Sequence, residues 1–101
     1  MNQEWIVFTG TLSSLTREQA QALVVALGGH TQTIVTSQTT QLVIGTSRPT
    51  LFNDRPSTKW ETAERRRKAG QPIGFMDERT FLEAVIDVLQ RRVRNLQTNN
   101  R

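Results

Sequence analysis

Hydrophobic residues occur along the chain in short continuous runs, separated by longer stretches in which they recur every three or four positions. The runs have the length of strands, and the three-to-four spacing is that of one face of a helix. The resulting order is β-α-β-β-α-β-α, with strands at residues 5–8, 33–35, 41–44 and 72–75. Strands that alternate with helices predict an α/β fold, in which a parallel sheet carries helices on both faces.

Capping signals predict where the helices begin and end. A Ser or Thr followed three residues later by Glu or Gln forms a capping box, and a glycine after the last turn adopts the left-handed backbone that ends a helix. These signals predict a first helix that begins at Thr16 with Gln19 and ends at Gly28–Gly29, and a second that begins at Thr58 with Glu61 and ends at Gly70. Asp77 caps the last helix, which we expect to continue to about Leu96.

The charge balance bears on the expected partners. The chain of 101 residues has the length of one domain, and its 13 Lys and Arg against 9 Asp and Glu give a net charge of +4. All the basic residues except Lys59 and Lys68 are arginine, whose planar guanidinium matches the geometry of a phosphate. This composition favours nucleic acid or another phosphate-bearing partner, although a solvated basic surface has the same composition.

Other features of the sequence concern its compartment and chemistry. Without cysteine the chain has no disulfide or thiol chemistry, and a reducing compartment is the expected setting. No apolar run has membrane length and residues 1–4 show no signal-peptide pattern, which predicts an intracellular protein, cytoplasmic (at the nucleoid) in a bacterium or nuclear in a eukaryote. His30 has no clustered partner for a metal, and no nucleophile–base pair stands out, so we expect neither enzyme activity nor a cofactor.

Segments spread over residues 3–89 resemble, in their order, those of a BRCT domain. They are FTG at the end of strand one, LTREQAQALVVALGG over the first helix, TTQLVIG over strand three, STKWETA at the start of the second helix, and PIGFMDERTFLEAV over strand four and the third helix. Phe81 stands where the family often has a tryptophan. The chain resembles the single modules of bacterial NAD-dependent DNA ligases, epsilon-type exonuclease subunits and the large subunit of replication factor C.

The resemblance implies an architecture. It is a four-stranded parallel sheet in the order 2-1-3-4, with helices 1 and 3 on one face and helix 2 on the other. The domain would occupy residues 1–90, and residues 91–101 would form a basic continuation of the last helix and a frayed tail. Ligands of such sheets collect beyond the carboxyl ends of the strands where the strand order reverses, here between strands one and three.

Residues at that position have the chemistry of an anion site. Strand one ends at Thr9 and Gly10, which offer a hydroxyl and an amide that no side chain obstructs. Arg17 and Lys59 each stand in the first turn of a helix, where a cation without compensation costs about 0.3–1 kcal/mol. The resemblance implies the same set, because phosphate-binding members use a Ser/Thr-Gly pair and a lysine, and members that hold a 5′-phosphorylated DNA end add an arginine. Ser57 is a supporting hydroxyl.

Alternative interpretations of these residues remain open. Thr9 could satisfy the local backbone, and Glu18 and Glu61 could pair with the two cations. Arg48 and Arg55, in the segment after strand three, are possible contacts for a DNA backbone. The basic run at 65–68 favours a solvated helix end, since cations are stabilised at a helix C-terminus.

The last helix carries a second pattern. Apolar residues alternate four and three positions apart at Leu82, Ile86, Leu89, Val93 and Leu96, a heptad-like stripe that could pack on its own domain, on a partner helix or on a second copy. The leading hypothesis is a non-catalytic module of DNA replication or repair that binds DNA at a 5′-phosphorylated end. The alternative is a protein-interaction module, either dependent on a phosphopeptide or independent of phosphate.

Overall fold

The computed structural model describes residues 1–46 and 58–99. Within them the strands and helices are β1 (Trp5–Thr9), α1 (Arg17–Ala26), β2 (His30–Gln32), β3 (Gln41–Ile44), α2 (Thr58–Lys68), β4 (Gly74–Asp77) and α3 (Glu78–Asn99). The strands described form one parallel sheet in the order β2-β1-β3-β4. The predicted fold class and strand order are therefore confirmed.

Two hydrophobic clusters hold the helices on the sheet. Ile6 and Phe8 of β1 point to one face, where they pack with residues of α1 and α3. Val7 of β1 points to the other face and packs with Ala63 of α2. Since successive side chains of a strand alternate between its faces, a continuous apolar strand requires helices on both sides. The predicted distribution of helices 1 and 3 on one face and helix 2 on the other is confirmed.

Phe81 occupies the centre of the first cluster. Its side chain is fully buried, and its ring meets that of Phe8 edge-on at 5.2 Å between centroids. Phe81 thus joins α3 to β1 within the core.

The position of β2 is the clearest error of the sequence prediction. We predicted a strand at residues 33–35, but the strand is His30–Gln32, directly after the glycine pair. Its register is set by pairing with β1, in which His30 lies opposite Trp5 and the two rings stack at 4.2 Å. Among the described strands β2 lies at an edge of the sheet, which permits polar side chains. Of the apolar pair mistaken for the strand, Val35 is buried beneath the sheet and Ile34 is exposed.

Smaller differences occur at the element ends. β4 begins at Gly74 rather than at residue 72 and ends at Asp77, whose carboxylate caps α3 by accepting the Thr80 N–H at 2.8 Å. α2 already includes Thr58, so the predicted role of Thr58 as its N-cap is wrong. α3 continues past Leu96 to Asn99. Among the helices described, none combines the length and the apolarity needed to cross a bilayer.

The predicted start and end of α1 are confirmed. The Thr16 hydroxyl accepts the Gln19 N–H, and the Gln19 side chain accepts the Thr16 N–H, which is the complete capping box. Gly28 follows the last turn with φ of 92°. This boundary matters for the site, because it fixes where Arg17 begins the helix.

Candidate functional site

The carboxyl ends of β1 and β3 meet where two glycines allow the backbones to touch. Gly10 has φ of 77°, a conformation that side-chain-bearing residues rarely adopt. A Cβ on Gly45 would lie 2.4 Å from the Thr11 carbonyl oxygen, so no side chain fits there. The Thr11 N–H donates to the Thr46 carbonyl at 3.3 Å, which extends the contact past the strands. Thr9 is buried beside this contact, at the last position of β1.

Arg17 reaches back from the start of α1 to the end of β1. It is the first residue of the helix, and its guanidinium Nη2 donates to the Gly10 carbonyl at 2.6 Å. The contact is partly buried. The cation that the helix dipole disfavours is therefore directed onto the turn after β1.

Lys59 approaches the same strand end from the opposite face of the sheet. Its Nζ donates to the Phe8 carbonyl at 2.8 Å. Partial burial lowers the pKa of Lys59, and the nearby charge of Arg17 lowers it further. Both cations thus contact carbonyls at the end of β1, Arg17 from α1 and Lys59 from α2.

Within residues 1–46 and 58–99 no carboxylate forms an ion pair with either cation. Glu18 and Glu61, which we considered as alternative partners, are not paired with Arg17 or Lys59 in this part of the chain. The structure therefore brings together Thr9, Gly10, Arg17 and Lys59, the four predicted residues that it describes. Ser57, Arg48 and Arg55 lie outside the described residues, and their roles stay predictions.

The loop between β1 and α1 is held by a carboxylate that the sequence analysis missed. Glu78, the first residue of α3, accepts the N–H of Ser13 at 2.6 Å and that of Ser14 at 2.8 Å. Both serine hydroxyls donate to the same carboxylate. These bonds, that from the Ser14 hydroxyl first among them, lower the pKa of Glu78 to about 2. The amides of Ser13 and Ser14 are thus already occupied by an internal anion.

Glu78→Gln is expected to lower stability at neutral pH and to lose its effect in acid. The folded pKa of about 2 lies below the ordinary value of 4.5, so the ionised carboxylate stabilises the fold above about pH 4.5, and this contribution disappears as the pH falls towards 2. Urea midpoints of wild type and variant should therefore differ at neutral pH and converge near pH 2. Glu83→Gln on the same helix is the matched control, because its pairing with Arg79 at 4.0 Å is highly exposed. An equal difference at both pH values would contradict the role of Glu78.

A shallow cleft of about 590 Å³ lies along this loop and is lined by residues 10–17 and 19. It opens beside the Gly10 carbonyl that Arg17 contacts. A ligand attached to an anion at the end of β1 could therefore continue over the loop surface.

The basic run at the end of α2 is engaged in local contacts. Arg67 pairs with Glu64 at 3.5 Å and lies 5.0 Å from the centroid of the Phe75 ring, while Arg66 donates to Gln71. These contacts agree with the interpretation as a helix end. No group of three or more potential metal-ligating side chains occurs in the described part of the chain.

Comparison with known proteins identifies the family. The sequence profile of the BRCA1 C Terminus (BRCT) domain matches residues 4–69, more than half of the chain, and the chain belongs to this family. BRCT domains are non-catalytic modules that bind DNA or proteins.

A relative from a bacterium is similar over most of the chain. The sequence is 35% identical over 81 residues to a protein named DNA ligase from Persephonella marina (strain DSM 14350 / EX-H1). The aligned region covers 80% of this chain and 10% of that protein, so the chain spans about a tenth of the length of its relative.

Proposed function

We propose that this BRCT domain binds DNA in a non-catalytic role and holds a terminal 5′-phosphate at the carboxyl end of β1. The observation that supports this most strongly is the convergence of Arg17 and Lys59 on the carbonyls of Gly10 and Phe8. Membership of the BRCT family and the similarity to a DNA ligase support a DNA-related role in replication or repair. The net charge of +4 has the sign that attracts a polyanion.

The two cations keep donors for a ligand. An ammonium has three N–H donors and a guanidinium five, and within the described residues Lys59 donates to Phe8 and Arg17 to Gly10. Partial burial and, to a lesser extent, the nearby charge of Arg17 disfavour the charged form of Lys59 and lower its pKa. A phosphate between them would offset this cost. The carbonyl contacts would serve to aim the side chains before the ligand arrives.

The Gly10 amide and the Thr9 hydroxyl would complete the site. Gly10 offers an amide in a turn with positive φ and has no side chain to block the approach of a phosphate oxygen. Thr9 lies at the end of the strand beside it. A terminal phosphate carries more charge than a phosphodiester and exposes more oxygens, so this arrangement favours a DNA end over a position within the duplex.

Lys59→Ala is expected to weaken binding to a 5′-phosphorylated duplex by roughly 10- to 100-fold, because a hydrogen bond to a charged group contributes about 1.5–3 kcal/mol. Binding to an otherwise identical duplex with a 5′-hydroxyl should change much less. Fluorescence anisotropy competition between the two duplexes, at moderate and fixed salt, measures both affinities. The salt dependence of the phosphorylated duplex should also become less steep, since one phosphate contact is lost.

Lys68→Ala is the matched control. It removes the same charge from the same helix, but from the exposed last turn, away from the strand ends. Arg17→Gln and Arg65→Gln form a second pair of test variant and control, because Arg65 is exposed near the end of α2. If Lys59 and Lys68 variants lose equal affinity, or if wild type does not prefer the phosphorylated end, the proposal is wrong. Phosphopeptides would then be the next ligands to test.

A further inference from the structure

The last turns of α3 extend beyond the part of the helix that packs on the domain. Phe81 and Val85 belong to the first hydrophobic cluster, and Val88 packs against that cluster. From Leu89 to Gln97 every side chain is exposed. Four large apolar side chains in these turns and the preceding one are exposed. Their exposed fractions are 52% for Ile86, 46% for Leu89, 54% for Val93 and 62% for Leu96. The described part of the domain leaves this apolar stripe uncovered.

The residue types along the stripe indicate which kind of partner would cover it. Leu89 and Leu96 lie seven residues apart and occupy the d positions of a heptad, while Ile86 and Val93 occupy the a positions. β-branched residues at a with leucine at d favour two parallel strands over higher oligomers. We propose that the stripe pairs with the stripe of a second copy of this chain in a short parallel coiled coil.

Charges beside the stripe favour the parallel orientation. In this heptad Arg92 is at g, and Gln90 and Gln97 are at e. In a parallel pair, Arg92 lies beside Gln97 of the second copy. In an antiparallel pair centred on Leu89 and Val93, Arg92 lies beside Arg92 of the second copy. Like charges at such positions are repulsive. The 3.0 Å ion pair between Arg91 and Asp87 lies outside these positions and does not obstruct pairing.

The position of the stripe leaves the strand-end site free. α3 begins at Glu78, beside the β1–α1 loop, and Leu89 lies eleven residues further on, about 16 Å along the helix axis. Parallel pairing of the last turns of α3 would therefore join the two domains at the ends that lie far from the β1–α1 loop. The two sites would then open in the same general direction. The pairing itself does not depend on the proposed binding of phosphate.

The interface is short, since the exposed stripe from Ile86 to Leu96 spans fewer than two heptads. Helices of this length are marginal alone, and an interface with so few apolar residues belongs to the weak, transient class. We therefore expect a monomer–dimer equilibrium that shifts with concentration.

Sedimentation equilibrium of the full chain over a wide concentration range tests the pairing. Wild type should rise from the monomer mass of 11.5 kDa towards twice that value. Val93→Glu should raise the dimer dissociation constant by more than about tenfold, because it places an unpaired carboxylate in the seam. Asn95→Glu introduces the same charge two residues away, outside the a and d positions, and should dimerise like wild type. A wild type that stays monomeric, or equal behaviour of the two variants, would overturn the proposal.

The absence of cysteine makes the orientation directly testable. A parallel pair brings the two Val93 positions face to face, so Val93→Cys should form a disulfide with itself on mild oxidation. An antiparallel pair would set residue 93 against residue 89 and would cross-link a mixture of Leu89→Cys and Val93→Cys chains into the mixed dimer. Predominance of that mixed product would overturn the parallel arrangement, and random products would indicate collision rather than pairing.

Discussion

Replacing Phe81 by alanine is expected to lower the free energy of unfolding by about 3–5 kcal/mol, the range measured for buried Phe→Ala changes. The side chain is fully buried and lies edge-on to Phe8 at 5.2 Å, so its removal leaves a cavity and also breaks an aromatic pair. α3 and β1 meet through this contact. A loss of this size is a large part of the 5–15 kcal/mol that holds a typical domain together.

Urea denaturation followed by circular dichroism measures this effect. Val25→Ala is the matched control, since it also truncates an apolar side chain on a helix, but one that is 60% exposed, and should change stability by no more than about 0.5 kcal/mol. Similar losses in the two variants would show that Phe81 is not the centre of the core. A loss confined to Phe81→Ala would confirm that the Phe81 side chain holds α3 on the sheet.

The parts of the fold that could be predicted from sequence are those in which a local signal and burial agree. β1 is a continuous apolar run covered on both faces, and α1 has a complete capping box followed by Gly28. β2 has no such signal. As an edge strand of the described sheet it is defined by its pairing with β1 and by the stacking of His30 on Trp5, both of which depend on residues distant in sequence. The apolar residues at 34 and 35 were therefore mistaken for the strand.

The candidate site likewise contains residues that a local sequence signal indicates and a residue that only the structure shows. Arg17 and Lys59 could be identified because a cation at the start of a helix contradicts the helix dipole, and such a local conflict points to a partner elsewhere. Glu78 produces no conflict, since an acidic residue in the first turn of a helix is favourable. Its role depends on Ser13 and Ser14, more than sixty residues earlier in the chain. Only the three-dimensional arrangement shows it.

Gly45 is the other residue whose importance the sequence conceals. It appears there as the residue after β3, a position at which many small residues would serve. In the structure its Cα faces the backbone of the turn after β1, and an added Cβ would lie 2.4 Å from the Thr11 carbonyl oxygen and 2.7 Å from its carbon. Both are main-chain atoms and cannot rotate away. The close approach of two backbones thus shapes the strand ends on which Arg17 and Lys59 converge.

Gly45→Ala is therefore expected to destabilise the domain by about 1–3 kcal/mol, the usual cost of inserting a methyl group into a filled place. It should also reduce the preference for 5′-phosphorylated DNA, because relief of the clash requires the turn that carries Gly10 to move. A shift of even about 1 Å in that turn is comparable with the tolerance of a hydrogen-bonded site. The variant would couple a stability loss to a binding loss without removing any charge.

Gly74→Ala provides the comparison that separates these effects. A Cβ on Gly74 would also come within 2.4 Å of another atom, but that atom is Oε1 of Gln41, the free end of a flexible side chain. Gly74→Ala should therefore have little effect on stability or on binding, because the Gln41 side chain can move aside. Urea midpoints and the ratio of affinities for 5′-phosphate and 5′-hydroxyl duplexes would be measured for both variants. If Gly45→Ala binds phosphorylated ends as wild type does while losing stability, the packing of the turn does not set the site, and Arg17 and Lys59 alone would account for recognition.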